Sequence, residues 1–446
     1  MEPDPGLGDD AVRHLQALLR IDTTNPPGNE TPAAEYVAAL LAAAGLEPTL
    51  LGPTPSRKSV VARLRGTGEK PPLLLHGHLD VVGADPAAWT HPPFGGEIHD
   101  GWLWGRGAID MKHMVVMAAL VVAHLAKSGR RLSRDLIFAA VADEEAGCDD
   151  GSKFLVDHHP DLVRAEYALG ENGGFTVYFG PTAFYPVQVA EKGVVWMKLR
   201  AKGSPGHGSL PRDDNSVVRL GEAVAALGRA RLPQHTTPAA ARYLDALAAA
   251  VGAPKSLVLK QLKRPSLSNV VLKMIPDRGA AAAIAAALSN TAVPTVLRAG
   301  AKTNVIPGEA EAEVDGRSLP GQGAADLVAE VQSLVGADIA IQVIRDMPPV
   351  ETEPQSPLFD AIAATLAEHH PGAAAIPYLM PGFTDAKQWS RLGARCYGFC
   401  PVRFPPPESG APKFAELFHG NDERIPVDGL RWGVRVLHDV VVRFAG

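Results

Sequence analysis

Only three cysteines occur, Cys148, Cys396 and Cys400, too few and too scattered for a disulfide framework. Cys396 and Cys400 read as packed thiols in an apolar strand, and a cytoplasmic location is expected. No block of like charge is present and the net charge is −6, which excludes a nucleic-acid footprint and a polybasic membrane anchor. The most apolar long stretch, Met114 to Ala126, is interrupted by His124 and is too short to span a bilayer; it predicts a buried helix. The first residues, Met1-Glu2-Pro3-Asp4-Pro5, are acidic and lack an apolar core, so no secretory signal is expected. A Gly-x-Ser-x-Gly elbow is missing, which argues against a serine hydrolase of the α/β type. There are no internal repeats, and the alanine runs at 279–287 read as helix rather than disorder.

What is present is an ordinary globular composition, 46% hydrophobic and 21% charged over 446 residues, sufficient for two or three domains. The first part alternates short apolar runs with helical patterns, as a βαβ sheet does. Thr31-Pro32 predicts a capped helix start and Gly45 its stop; further helices are predicted over 110–127 and 151–158. After Pro186 the character changes. Val187 to Lys202 reads as one strand with a solvated face, followed by the loop Gly203-Ser204-Pro205-Gly206-His207-Gly208 and a helix from Asp214. Ala-rich helices are predicted within 238–290, strands at 293–300 and 309–317, a helix over 323–336 and a strand over 338–345. Pro348-Pro349 and Pro354 mark a return, after which a helix at 357–369, strands at 375–380 and 395–399, and a last helix from Asp428 resume the first pattern. The expected fold class is α/β: one α/β domain in two parts, 1–187 and 350–446, with a smaller α+β domain inserted at 188–349.

Three polar clusters stand where apolar strands run out. Leu73-Leu74-Leu75 leads into His76-Gly77-His78-Leu79-Asp80, the run 136–141 leads into Asp143-Glu144-Glu145, and Glu166-Tyr167-Ala168-Leu169 leads into Glu171. In an open α/β sheet the parallel strand ends share one edge, and ligands bind beyond it. That much negative charge in one crevice is costly unless it is protonated or neutralised by metal, so a hydrolytic site for two divalent cations is the best single explanation. His78 and Asp80 point the same way, and a ligating imidazole commonly donates its other N–H to a carboxylate. His76 reads as a structural neighbour. The turn Gly105-Arg106-Gly107 ends in Asp110, which taken alone reads as a helix N-cap and in context as a carboxylate able to bridge two cations. Adjacent Glu144 and Glu145 can split roles between ligand and proton shuttle. Phe418-His419-Gly420-Asn421-Asp422-Glu423 is a polar loop ahead of the last helix.

In this order the features resemble the M20 metallopeptidase family, which contains carboxypeptidases, aminoacylases and related deacylases. The resemblance runs through nearly the whole chain. It rests on His78-x-Asp80, Gly105-Arg106-Gly107-x-x-Asp110-x-Lys112, Asp143-Glu144-Glu145, Glu171, Gly206-His207-Gly208-Ser209-x-Pro211, Asn304-Val305-Ile306-Pro307 and His419-Gly420. It implies two zinc ions bridged by Asp110, with a cis peptide bond after it; Co²⁺ or Mn²⁺ also suit such a donor set. His78 and Glu171 complete one metal, and Glu145 with His419 the other. Glu144 is implied as general base; Asp80, placed with the catalytic residues, is read from the His-x-Asp spacing as the carboxylate that orients His78. The inserted domain becomes a lid and dimerisation domain, making the protein a homodimer. Its His207 reaches the partner subunit's active site and donates to the oxyanion, and Asn304 and Arg317 hold the substrate, the arginine on a carboxylate. Gly382 matches a substrate-binding loop.

That loop, often Gly-Gly before Thr/Ser-Asp, reads Gly382-Phe383-Thr384-Asp385 here, and the phenylalanine narrows the pocket or lines it with apolar surface. The stretch from Asn215 to Asn304 is long for the simplest members. Trp89, Pro93, Phe94 and Gly95 place the first part closer to the aminoacylase and carboxypeptidase S branch, and Glu at 171 leans the same way. The expected activity is hydrolysis of the amide bond of N-acyl amino acids, a small-molecule substrate, by a di-zinc amidohydrolase. The alternative is a metallo-carboxypeptidase or dipeptidase on short peptides. A non-catalytic metal-binding homologue is more remote, because every ligand position and the base position are filled.

Overall fold

A computed structural model describes residues 6–179, 182–275 and 278–446, which form two compact units. The larger takes the chain up to Val189 together with Thr352–Tyr378 and Thr384–Gly446; the smaller takes Ala190–Glu351 and the short segment Leu379–Phe383.

The larger unit is built on one sheet. Its strands, in spatial order, are Thr49–Leu51, Ser59–Leu64, Arg134–Val141, Lys70–His78, Tyr167–Gly170, Arg395–Gly398 and Thr182–Glu191. The third to sixth of these are parallel, and the remaining strands each pair antiparallel with their neighbours. The sequence explains why the sheet is covered on both sides. Leu73, Leu75, Leu136, Phe138 and Ala140 pack with the helices Leu7–Leu19, Lys112–Ser128 and Val427–Ala445. Their neighbours Leu74, Ile137, Ala139, Val141 and Ala168 pack with Leu155, Val156 and Trp389. Alternate side chains of a strand face opposite ways, and a continuous apolar run therefore serves two layers. The helix Lys112–Ser128 is buried through most of its circumference, as the apolar stretch predicts. Register aligns His78 with Val141 and Leu75 with Leu169, so the parallel strands end together and the polar clusters follow at one edge.

Two local expectations need correction. Thr31 does not cap its helix: Thr31–Ala42 includes it, and its hydroxyl donates to the Pro55 carbonyl instead. The segment read as one strand over 187–202 is two, Thr182–Glu191 and Gly193–Lys202. Between them the Lys192 ammonium is buried and donates to the carbonyls of Ala286 and Ser289 and to the Thr291 hydroxyl, anchoring a break in the strand.

The smaller unit holds a four-stranded antiparallel sheet in the order Thr291–Ala299, Glu309–Ser318, Gly193–Lys202, Ile339–Met347. Leu220, Ala223 and Leu227 of the helix Ser216–Arg229 and Leu327 and Val331 of the helix Ala324–Val335 close its core over Met197, Leu199 and Val314. Helices Pro238–Val251, Lys255–Leu259, Pro265–Met274 and Arg278–Leu288 build a separate core around Leu244, Leu262, Leu272 and Ile284. Among the described residues no helix is long and apolar enough to cross a membrane.

Candidate metal centre

At the sheet edge of the larger unit, Asp110 receives one imidazole on each of its oxygens. His78 Nε2 lies 3.1 Å from Oδ1 and His419 Nε2 lies 2.8 Å from Oδ2. Around His78 Nε2 are also Glu171 at 3.7 Å and Glu144 at 3.9 Å, while Glu145 is 3.3 Å from His419 Nε2. Two groups, His78–Glu144–Glu171 and His78–Asp110–Glu145, each offer ligand atoms within 4.8 Å of one another. The structure therefore brings together His78, Asp80, Asp110, Glu144, Glu145, Glu171 and His419.

Each is held by a local device. Asp110 is not an N-cap, since the helix begins at Lys112 after Met111, and the peptide bond after Asp110 is cis. The turn ahead of it is clamped by Glu423. One Glu423 oxygen accepts the N–H groups of Ile109 and Asp110, and the other accepts the N–H of Gly107 and the guanidinium of Arg106 at 2.7 Å. Gly107 sits at φ +88, and a Cβ there would lie 2.8 Å from Val81. Glu171 follows Gly170, where a Cβ would lie 2.1 Å from the His76 ring. His76 is thus a packing group: it is buried, meets Trp389 edge-on at 5.7 Å, and desolvation with the neighbouring His78 lowers its pKa to about 3.

Asp80 works differently from the simple pairing read in the sequence. His78 Nδ1 is 2.9 Å from the Asp80 backbone carbonyl and 3.5 Å from its carboxylate. The carboxylate instead accepts the N–H groups of Glu144 and Glu145, each at 3.1 Å, and the Asn25 amide at 2.9 Å. It fixes the turn that presents both glutamates. Asp143, at φ +67, is tied to the same Asn25 and to Arg57 at 2.7 Å. Sequence reasoning misses Asn25, Arg57 and Glu423 as site residues. It also misses Asp385, which is buried, accepts from the Ser152 hydroxyl at 2.5 Å, and is raised by burial to about 6.

The charges of this cluster are unbalanced. Burial, then the like charge of Glu171, pushes Glu144 well above the carboxylate range. Burial raises Glu145 to about 7 and Glu171 to about 8. Hydrogen bonds donated to Asp110 and Glu145 lift His419 to about 10, and Asp110, Asp80 and Glu171 hold His78 high against its burial. These five shifts share one cause, buried carboxylates crowded around two imidazoles, an arrangement that positive charge stabilises. Oε1 of Glu145 and Oε1 of Glu171 are buried without a hydrogen-bond partner among the described residues. Two imidazoles, a shared carboxylate and two orphaned glutamate oxygens suit divalent cations.

The other four expected residues lie in the smaller unit. His207 pairs with Val305 in a two-stranded ladder, and the Gly208 N–H donates to the Asn304 carbonyl at 2.9 Å. Arg317 is engaged by Asp315 through Nε and Nη2, its Nη1 is buried without a hydrogen-bond partner among the described residues, and its guanidinium lies 5.5 Å from the Phe383 ring. Gly382, beside Phe383, lies against Met380.

A model of peptidase family M20/M25/M40 matches residues 74–443. A probable carboxypeptidase S-like 2 of Dictyostelium discoideum is 29% identical over 83% of this chain and 71% of its own length. The N-fatty-acyl-amino acid synthase/hydrolase PM20D1 of Xenopus tropicalis is 28% identical over 80% of this chain and 70% of its own. The crystal structure of an M20 family metallo-carboxypeptidase, Sso-CP2 from Sulfolobus solfataricus, superposes with a TM-score of 0.73 at 16% identity, covering 98% of this chain and 99% of that one.

Proposed function

From the premise that this chain belongs to peptidase family M20/M25/M40, hydrolases of amide and peptide bonds, we propose a two-metal amidohydrolase that releases amino acids from N-acyl amino acids. One observation carries the proposal: each oxygen of Asp110 faces a histidine, with Glu171 on the His78 side and Glu145 on the His419 side. In this reading His78, Asp110 and Glu171 hold one cation, and Glu145, Asp110 and His419 the other, most simply Zn²⁺, with Co²⁺ or Mn²⁺ compatible. Bound there, such cations supply Lewis acidity toward the amide carbonyl and make water acidic enough to attack at neutral pH.

Glu144 is the base of this proposal. It takes the proton of the attacking water and hands it to the departing nitrogen, a role worth ~10²–10⁴-fold. Asp80 keeps Glu144 in place through the backbone N–H groups of the turn. Arg317, with one guanidinium nitrogen uncommitted, is the proposed anchor for the substrate carboxylate, assisted by Asn304 and the Gly382 loop. His207 is the proposed oxyanion donor, supplied across a homodimer formed through the inserted unit. Phe383 places an apolar ring beside Arg317, which favours an amino acid with an apolar partner group over a polar dipeptide. The similarity to a fatty-acyl-amino acid hydrolase supports the same choice, whereas the carboxypeptidase S-like relative favours peptides.

Amino-acid release from N-acetyl, N-long-acyl and aromatic N-acyl amino acids, beside dipeptides, with added Zn²⁺ or Co²⁺, separates the two. Release from the acyl compounds establishes the deacylase. Turnover of dipeptides alone replaces it with a peptidase.

A further inference from the structure

In the larger unit, the strand Glu97–His99 puts Glu97 and His99 on one side, because alternate residues of a strand share a face. Register sets them against Trp104 and Trp102 of the strand Trp102–Trp104, which in turn pairs with Arg424–Pro426. His91 enters over this face from the segment after Trp89. Its ring stacks on His99 with centroids 3.7 Å apart and planes 3° from parallel, and its edge meets Trp104 at 4.5 Å. His99 Nε2 lies 2.8 Å from Glu97 Oε2. One donor atom from each of the three residues lies within 4.8 Å of the other two. None of the three is used by the centre around Asp110.

We propose that His91, Glu97 and His99 form a peripheral site for a divalent transition-metal cation of the zinc type. Two imidazoles and one carboxylate are a donor set such ions take readily, and the harder Mg²⁺ and Ca²⁺, which prefer oxygen alone, are disfavoured. The cation takes the place of the hydrogen shared between His99 Nε2 and Glu97 Oε2, the imidazole then carrying its N–H on Nδ1. Face-to-face rings aim their lone pairs along parallel planes. Binding therefore turns one ring about its Cβ–Cγ bond; both rings are partly exposed. Water fills the remaining coordination positions.

The site has a route to the metal centre. Thr90, next to His91, donates to the Asp422 carboxylate through both its N–H and its hydroxyl, at 2.7 Å each. Asp422 is in the polar turn that begins with His419, and both residues sit at positive φ. A cation that fixes His91 steadies the segment that presents His419.

The test is calorimetric titration of metal-free protein with Zn²⁺, comparing the parent with His99→Ala and with Glu97→Gln, whose side chain keeps its shape. The expected result is one equivalent fewer in His99→Ala, weakened binding of that equivalent in Glu97→Gln, and the same number of remaining equivalents in all three proteins. In parallel, Cu²⁺ added after the Zn²⁺-tight sites are filled is expected to quench the fluorescence of Trp104 in the parent and less so in His99→Ala. Equal stoichiometry and equal quenching in well-folded variants would overturn the proposal, leaving the stacked pair as packing over Trp104.

Discussion

Asp80 lies in the chain two residues from His78, yet its carboxylate spends its hydrogen bonds on the backbone of Glu144 and Glu145 and on Asn25. Replacing it by Asn puts an amide N–H₂ or a single remaining acceptor against two buried N–H donors. A buried donor left unpaired costs about 1–3 kcal/mol, so Asp80→Asn is expected to lower kcat by about one to two powers of ten while both metals stay bound. Steady-state kinetics with metal analysis checks this; loss of metal at unchanged kcat per occupied site would contradict it. The residues gathered at the centre were readable because each stands at the end of an apolar run or in a polar turn. Their supports were not. Asn25 reaches Asp80 across 55 positions, Arg57 reaches Asp143 across 86 and Arg106 reaches Glu423 across 317, and nothing local announces such pairs. Glu423 carried one faint signal, an acid in the polar loop of His419 that matches an arginine in the turn of Asp110.

Among the elements, the strand Tyr167–Gly170 has little freedom at its end. Gly170→Ala drives a Cβ to 2.1 Å from the His76 ring, which Trp389 confines from another side. Overpacking of this kind costs about 1–3 kcal/mol, and the displaced strand end carries Glu171. The variant is expected to melt earlier and to bind metal more weakly; a stable variant with full metal affinity would show that the strand end yields freely. The last helix, Val427–Ala445, is pinned to the helix Pro357–His369 by Asp439, which accepts from His369 at 2.7 Å and from His438 at 2.8 Å. Partial burial opposes its ionisation, but these two bonds overcome it and hold Asp439 below the ordinary carboxylate range. A depressed carboxylate contributes stability that is present above its unfolded pKa and disappears as pH falls through the folded one. Asp439→Asn is therefore expected to cost about 1 kcal/mol at pH 7, with the gap to the parent narrowing in denaturant titrations as pH drops below about 4. A gap independent of pH would remove the ionic part of the argument. Helices and parallel strands were legible because apolar period and flanking turns agree. The strand break at Lys192 was not, because the alternation continues through it and only the distant acceptors at 286, 289 and 291 reveal the anchor.

At the scale of the whole molecule, the chemistry-bearing carboxylates and the histidines His78 and His419 belong to the larger unit, and the residues proposed to hold substrate belong to the smaller. The α/β class with an inserted α+β segment was visible in the sequence from the change of pattern after Pro186 and the prolines near 348–354. The grouping of Leu379–Phe383, with Gly382 and Phe383, with the inserted unit was not, because chain order gives no hint of that return. In the proposed reaction, catalysis depends on cations gathered by Asp110 and on the base Glu144. The most direct measurement strips the protein with chelator, in the His99→Ala background so that the peripheral site does not contribute, and restores Zn²⁺ stepwise while following amino-acid release from an N-long-acyl amino acid. The expected outcome is no turnover without metal, recovery that is complete at two equivalents, and a Glu144→Gln protein that binds the same two equivalents yet stays ~10²–10⁴-fold slower. Full turnover by the stripped protein, or by Glu144→Gln, would contradict it.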